Sequence, residues 1–398
     1  MINPSVFGWF DKYISELELS AQSTPILSER YYSDLRNTGF IYGHVIAVGN
    51  LNANDFKNWT SEEVSKIALL NALWENYKLN EIQPHKNDFS LRLHHFYNHI
   101  HPQGFSFLKK ILPNESISNQ IEKIIDHRVQ TNKNIVSKNF SHIVTNALLY
   151  IDVLAFQHYC IHKSLSTQYT RKLEEVIVSV VSLALSAKSD TSQYDELLIK
   201  LFETSVRYTK FDGKKISDLH ELDLSVLEHE FEKLYVIDLA AMAIWNDRKL
   251  DKSESDFVFN LGLQLKLKNF EILESLTALD TFIQKYKSSI PYFNYSNPIK
   301  HFYDQTTQTV VKLINRNKKR LVKEISESKE LLILLAHSTQ RELDKSEKKR
   351  MKKQLLDICK TIPSLTIFLL PGGSLLLPIL IKFIPQILPS SFNENLED

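Results

Sequence analysis

Glycine scarcity is the feature that most restricts the folds open to this chain, which has nine glycines in 398 residues. Ordinary proteins contain about 7% glycine. Because hairpin turns and phosphate-binding loops depend on glycine, such scarcity disfavours sheet-rich and nucleotide-binding folds. The sequence also lacks the patterns GxGxxG, GxxxxGK[ST], GxSxG and HExxH. The sequence therefore predicts an all-α, multi-helical protein.

The composition narrows the function classes further. Hydrophobic residues make up 43% of the chain, enough for real cores, so disorder is not expected. The net charge of +1 gives no global field that would recruit DNA. Cys160 and Cys359 lie too far apart in sequence to suggest a disulfide framework or a cysteine zinc site. With no nucleophile–base constellation in view, we expect no enzyme activity, no cofactor and no metal.

The first 170 residues have the pattern of one helical domain. Thr60 and Glu63 have the spacing of a capping box at the start of a helix over 61–79. The helical spacing of four apolar residues predicts its buried face, formed by Ile67, Leu70, Trp74 and Tyr77.

Residues 171–290 carry a turn pattern twice, each time between two apolar helical stretches. The copies are Phe211-Asp212-Gly213-Lys214-Lys215-Ile216-Ser217 and Asn246-Asp247-Arg248-Lys249-Leu250-Asp251-Lys252-Ser253-Glu254. Over roughly 190–290 this doubled turn resembles the TerB-like helical domain. That resemblance implies an acidic cation-binding surface at Asp212, Asp247 and Glu254. The residues themselves are also explained as ordinary turn and helix-capping groups.

Residues 291–398 begin with long, charged helical stretches. One dense basic run precedes the apolar C-terminal part of the chain, and it includes Lys348, Lys349, Arg350, Lys352 and Lys353. These five residues are candidates for contact with anionic lipid or ribosomal RNA. A solvated helix face is the alternative interpretation.

The segment 361–381 is a run of 21 residues without a charge, close to the length that a bilayer-spanning helix requires. Pro371, Pro378 and Pro385 recur every seven residues, so in a helix they lie near one face. Each removes a backbone hydrogen bond, which disfavours exposure of that face to lipid. Three interpretations remain open: a single span, a re-entrant hairpin, and a buried core hairpin.

The same segment resembles the transmembrane motif of the LETM family, the leucine-zipper–EF-hand transmembrane proteins, over 361–392. The similarity lies in the pattern LLP-x3-K-x2-P-x2-LPS-x-F and the residues before it. Its members here are Pro363, Pro371, Gly372, Gly373, Pro378, Lys382, Pro385, Pro389, Ser390 and Phe392. The resemblance implies cation/proton exchange or ribosome tethering at a membrane. It also implies that the family's ribosome-facing domain follows this motif and is therefore missing here. Bacterial relatives are described as biofilm-associated.

Two groups of histidines have spacings that metal sites use. His95 and His99 are four residues apart in a cluster with His94 and His101, and His158 and His162 share that spacing. Because no carboxylate stands at a motif distance, we interpret all of them as ordinary histidines.

The leading hypothesis is a non-enzymatic, LETM-related protein at the bacterial inner membrane, acting in cation homeostasis or biofilm formation. The basic run before the apolar segment places residues 1–360 in the cytoplasm by the positive-inside rule. Membrane lipid is the expected partner. The ribosome is a partner implied by the family, and transport through one short span would require a homo-oligomer. The alternatives are a soluble scaffold with a TerB-like partner-binding domain and a membrane-linked ribosome-binding factor.

Overall fold

The computed structural model divides the chain into two compact units. Unit 1 comprises Met1–Thr131 and His142–Ser296, and unit 2 comprises Asn132–Ser141 and Asn297–Asp398. The structure describes residues 2–21, 28–49, 51–52, 55–56, 59–100, 115–129, 146–164, 167–188, 199, 202–203, 216–245, 251–288, 290, 310–311, 314–315, 317–362, 365 and 377–387.

Unit 1 is helical in its described parts, apart from one very short antiparallel pair. Its α-helices are α1 (Trp9–Ala21), α2 (Ser28–Thr38), α3 (Ser61–Leu79), α4 (Lys86–His99), α5 (Ile117–Val129), α6 (Tyr150–His162), α7 (Thr167–Ser186), α8 (Glu230–Ile244), α9 (Lys252–Gln264) and α10 (Asn269–Tyr286). Single 3₁₀ turns cover Phe40–Tyr42, Leu219–Glu221 and Leu224–Val226. Strands β1 (Ala47–Val48) and β2 (Leu51–Asn52) pair with Val48 opposite Leu51.

Helix α3 confirms the prediction made from its capping box. The Glu63 backbone N–H donates to Thr60 Oγ1 at 3.2 Å, and the Thr60 N–H donates to Glu63 Oε2 at 2.7 Å. The four predicted core residues are at most 1% exposed. Trp74 stacks edge-on against Phe89 of α4 with ring centroids 5.1 Å apart, so this face of α3 fills the core of unit 1.

Helix α8 lies at the centre of unit 1, in contact with α7, α9 and α10. Apolar residues occupy most of its length, so it is buried nearly all round. Asp238 is one of two buried charged residues on this helix, the other being Glu232, and each is 1% exposed. The Asp238 carboxylate accepts hydrogen bonds from the Tyr32 hydroxyl at 2.7 Å, from Arg36 Nε at 3.0 Å and from Ser275 Oγ. This network connects α2, α8 and α10 through one buried charge pair.

Unit 2 contains four described α-helices, α11 (Lys318–Ser326), α12 (Lys329–Gln340), α13 (Lys345–Thr361) and α14 (Leu377–Ile387). Each contributes apolar side chains to one buried cluster, which includes Leu321, Leu334, Leu355 and Leu380. Unit 2 therefore has a hydrophobic core of its own.

The all-α, multi-helical prediction is confirmed across the described residues. The predicted boundary between residues 170 and 171 falls inside unit 1, between residues of the same helix α7. The division into 1–170, 171–290 and 291–398 stays a prediction.

Candidate functional site

The start of α13 is fixed by a reciprocal capping box. The Glu347 N–H donates to Asp344 Oδ1 at 2.8 Å, and the Asp344 N–H donates to Glu347 Oε2 at 2.9 Å. Arg341 clamps the same carboxylate through Nη1 at 2.8 Å and Nη2 at 2.6 Å. The Arg341 hydrogen bond is the main reason why the pKa of Glu347 falls to about 2. Because this arrangement sets where α13 begins, it also sets which side chains face outwards.

Helix α13 has a buried side and an exposed side. The buried face consists of Met351, Leu355, Ile358 and Cys359, each at most 8% exposed and part of the core of unit 2. The exposed face consists of the five predicted basic residues, here called the basic face: Lys348, Lys349, Arg350, Lys352 and Lys353. Their spacing places four of the lysines on one stripe, at i, i+1, i+4 and i+5. The structure shows these residues exposed on a helix, and their contact with anionic lipid or ribosomal RNA stays a prediction.

The basic face has little neutralising charge around it. Arg350 Nη1 lies 3.5 Å from Glu330 Oε1, and Lys348 Nζ lies 3.9 Å from Glu342 Oε2, both in exposed pairs that contribute little to stability. Within the described parts of the chain, no carboxylate lies within 4.0 Å of Lys349, Lys352 or Lys353. The basic face is therefore a local positive patch on a nearly neutral protein.

Helix α11 adds further positive charge to unit 2. Lys318, Lys319 and Lys323 are exposed. Arg320 Nη2 donates to the Thr361 carbonyl at 2.6 Å, which ties α11 to the last turn of α13. That contact satisfies a carbonyl that the helix end leaves without an intrahelical partner.

The apolar C-terminal segment contributes a core helix in its described part. Leu377, Leu380 and Ile384 of α14 are at most 2% exposed and belong to the core of unit 2. Lys382, the polar residue of the LETM-like motif, is exposed on the same helix. None of the helices in the described residues combines the length and the apolar character needed to cross a bilayer.

Only two of the remaining motif residues lie in the part of the chain that the structure describes. Pro378 and Pro385 fall within α14. The others lie outside the described residues, and they are Pro363, Pro371, Gly372, Gly373, Pro389, Ser390 and Phe392.

The acidic candidates belong to unit 1. Asp212 and Asp247 lie outside the described residues. Glu254, 5% exposed, is the third residue of α9, and its N–H donates to Asp251 Oδ1 at 2.8 Å in a capping box. For Glu254 the geometry is that of a helix cap.

The Asp344 and Glu347 capping box, which positions the basic face, was not predicted from the sequence. The sequence does contain the pattern for it, because an acidic N-cap residue followed three residues later by glutamate marks the start of a helix. No sequence pattern predicts the hydrogen bonds from Arg341 to Glu347, because they depend on how the chain turns before the helix.

Comparisons with known proteins bear on the C-terminal part of the chain. No curated protein and no solved structure matches the chain. Nothing in the comparisons extends to 190–290, where the TerB-like resemblance stays a prediction. The resemblance to the LETM family is supported at the segment that carries the basic face and α14, because residues 343–398 match the family described as LETM1-like, RBD.

Proposed function

We propose that unit 2 is a non-enzymatic ribosome-binding module in which the basic face of α13 contacts the phosphate backbone of ribosomal RNA. The observation that carries this proposal is the exposed, weakly paired basic face inside the segment that matches the LETM1-like, RBD family. RBD in that description denotes a ribosome-binding domain. The match falls on 343–398 itself, whereas the resemblance implied that the family's ribosome-facing domain would follow this segment.

The chemistry of the basic face suits phosphate contact. Lysine ammonium groups are flexible point charges, and phosphate contacts supply most of the sequence-independent affinity for nucleic acids. No aromatic residue is interleaved with the basic residues between Lys345 and Leu355, so stacking on unpaired bases is not part of the proposal. The expected mode is electrostatic docking on an RNA surface, with affinity that falls steeply as salt rises.

The packing of α14 favours this function over insertion into a membrane. The core of unit 2 buries Leu377, Leu380 and Ile384, so the apolar surface of these side chains is not available to lipid. The described residues of α14 therefore support packing in a protein core.

A pelleting assay with purified bacterial ribosomes tests the proposal. The full chain, a Lys349→Gln/Lys352→Gln/Lys353→Gln variant and a control are sedimented through a sucrose cushion over a series of salt concentrations. The control, Lys252→Gln/Lys268→Gln/Lys285→Gln, removes the same charge from exposed lysines of unit 1. We expect the basic-face variant to bind at least ~10-fold more weakly, with a salt slope shallower by about 2. The control should bind like the natural chain.

Equal losses in both triple variants would mean that only net charge matters, and no loss in either would remove the basic face from the interface. Absence of co-sedimentation at low salt by the natural chain would overturn the proposal. Thermal melts of all three proteins show whether unit 2 remains folded.

Membrane association is a second candidate, because the run 361–381 has no charge over 21 residues. We propose it as adsorption or shallow insertion next to the basic face, as would suit a role in cation homeostasis or biofilm formation at the bacterial inner membrane. Flotation with vesicles tests it. Binding to anionic vesicles that is lost in the basic-face variant indicates adsorption, and binding to neutral vesicles that survives high salt indicates insertion. No flotation with either lipid would exclude both.

A further inference from the structure

Three histidines of unit 1 converge at a point that the proposed function does not use. His158 and His162 lie one turn apart on α6, with ring centroids separated by 4.3 Å. His229, which immediately precedes α8, faces them with its ring centroid 6.2 Å from that of His158 and 5.9 Å from that of His162. One ring nitrogen from each residue lies within 4.8 Å of the other two.

We propose that His158, His162 and His229 form a binding site for a divalent transition-metal ion, best suited to Zn²⁺. Imidazole is a preferred ligand for Zn²⁺, with Zn–N bonds of about 2.0–2.1 Å. Tetrahedral geometry then places ligand nitrogens about 3.3 Å apart. The three nitrogens lie within 4.8 Å of one another, so binding an ion would draw them together by up to about 1.5 Å. His162 is the exposed member of the three.

The hydrogen-bonding state of the cluster independently indicates a ligand. In the described part of the chain, His158 Nδ1 and His229 Nε2 are buried and have no hydrogen-bond partner. Leaving a buried polar atom without a partner is destabilising, so both nitrogens would gain from a ligand. Coordination of a metal ion would satisfy ring nitrogens of this cluster.

Outer contacts hold His158 by its ring and His229 by its backbone. The Tyr169 ring stacks on His158 with centroids 4.3 Å apart and planes 22° apart. The Tyr169 hydroxyl donates to Glu232, and the same carboxylate accepts from the His229 backbone N–H at 2.9 Å. Such outer contacts orient ligands in metal sites. Three histidines leave one coordination position, which water would occupy.

Titration of the metal-stripped full chain with Co²⁺ and with Zn²⁺ tests the site. We expect one ion per chain at micromolar or tighter affinity, with the visible absorption of four-coordinate Co²⁺ and displacement by Zn²⁺. His162→Ala removes an exposed ligand without disturbing the core, and should weaken binding at least ~100-fold. His162→Cys supplies a thiolate in its place and should restore tight binding with an added charge-transfer band.

The control is His95→Ala/His99→Ala, which removes an exposed pair with the same four-residue spacing on α4. It should leave the affinity unchanged. The proposal fails if the natural chain binds neither ion in a defined ratio, if His162→Ala binds as tightly as the natural chain, or if the control loses binding to the same extent. Ribosome pelleting is independent of all three outcomes, because the site lies in unit 1.

Discussion

At the scale of single residues, burial decides how His44 responds to pH. Burial lowers its pKa from the ordinary 6.5 to about 4. Between these values the unfolded chain binds a proton that the folded chain does not, so the free energy of unfolding falls as the pH falls from 6.5 to about 4. The contribution is fully present above pH 6.5. At about 1.4 kcal/mol per pKa unit, the loss reaches about 3 kcal/mol.

Replacement of His44 isolates this effect from that of other titrating groups. His44→Gln should show a shallower dependence of unfolding free energy on pH over that window, measured by urea denaturation at several pH values. His95→Gln, at an exposed site, should follow the natural chain. A His44→Gln curve parallel to that of the natural chain would show that His44 is not shielded from water in solution.

Residue-level prediction from sequence succeeded where the evidence was local. The spacing of Thr60 and Glu63 was sufficient to predict the start of α3, because a capping box depends only on residues three positions apart. His229 could not be associated with His158 and His162 in the same way. The turn that brings it to α6 is a consequence of tertiary packing, which spacing in the sequence does not encode.

At the scale of the helix, α14 shows how an apolar pattern can be ambiguous. A short run of leucine and isoleucine suits both a bilayer and a protein core. The sequence left the span, the re-entrant hairpin and the core hairpin open, since the choice depends on whether partner helices offer complementary apolar faces. In unit 2 the partner helices offer such apolar faces, and Leu380 is completely buried among them.

Substitutions on α14 test this packing directly. Leu380→Ala should lower the free energy of unfolding by about 2–5 kcal/mol, because it removes buried methyl groups and leaves a cavity. Lys382→Ala, two residues along the same helix and exposed, should change it by less than about 0.5 kcal/mol. Urea denaturation of the detergent-free protein provides the measurement. Similar stabilities for the two variants would mean that α14 does not pack in the core of unit 2.

At the scale of the whole molecule, helical content was predictable but the division into units was not. Scarce glycine and clear capping boxes identify helices from local chemistry. Which helices share a core depends on contacts such as those of Asp238, whose partners Tyr32 and Arg36 lie far away in the sequence. No local sequence pattern predicts a buried charge network between helices that lie so far apart in the sequence.

Because each unit has its own hydrophobic core, we expect a substitution in one core to change the stability of that unit alone. The described partners of Asp238 belong to unit 1 and those of Leu380 belong to unit 2. Asp238→Asn removes the buried counter-charge of Arg36 and leaves it only the exposed Glu274, which should cost unit 1 about 3–5 kcal/mol. Trp9, Trp59, Trp74 and Trp245 all lie in unit 1. Tryptophan fluorescence therefore follows unit 1, whereas far-ultraviolet circular dichroism follows both units.

In urea, Asp238→Asn should move the fluorescence transition to lower denaturant, and Leu380→Ala should leave that transition in place while moving part of the dichroism transition. The effects of two substitutions without shared partners on the free energy of unfolding add to within about 0.5 kcal/mol, so the double variant should show both shifts unchanged.

Glu274→Gln, which alters the exposed partner of Arg36, serves as the control for unit 1 and should shift the fluorescence transition little. A fluorescence shift caused by Leu380→Ala, or a double variant that departs from additivity by more than about 1 kcal/mol, would show that the two cores unfold as one.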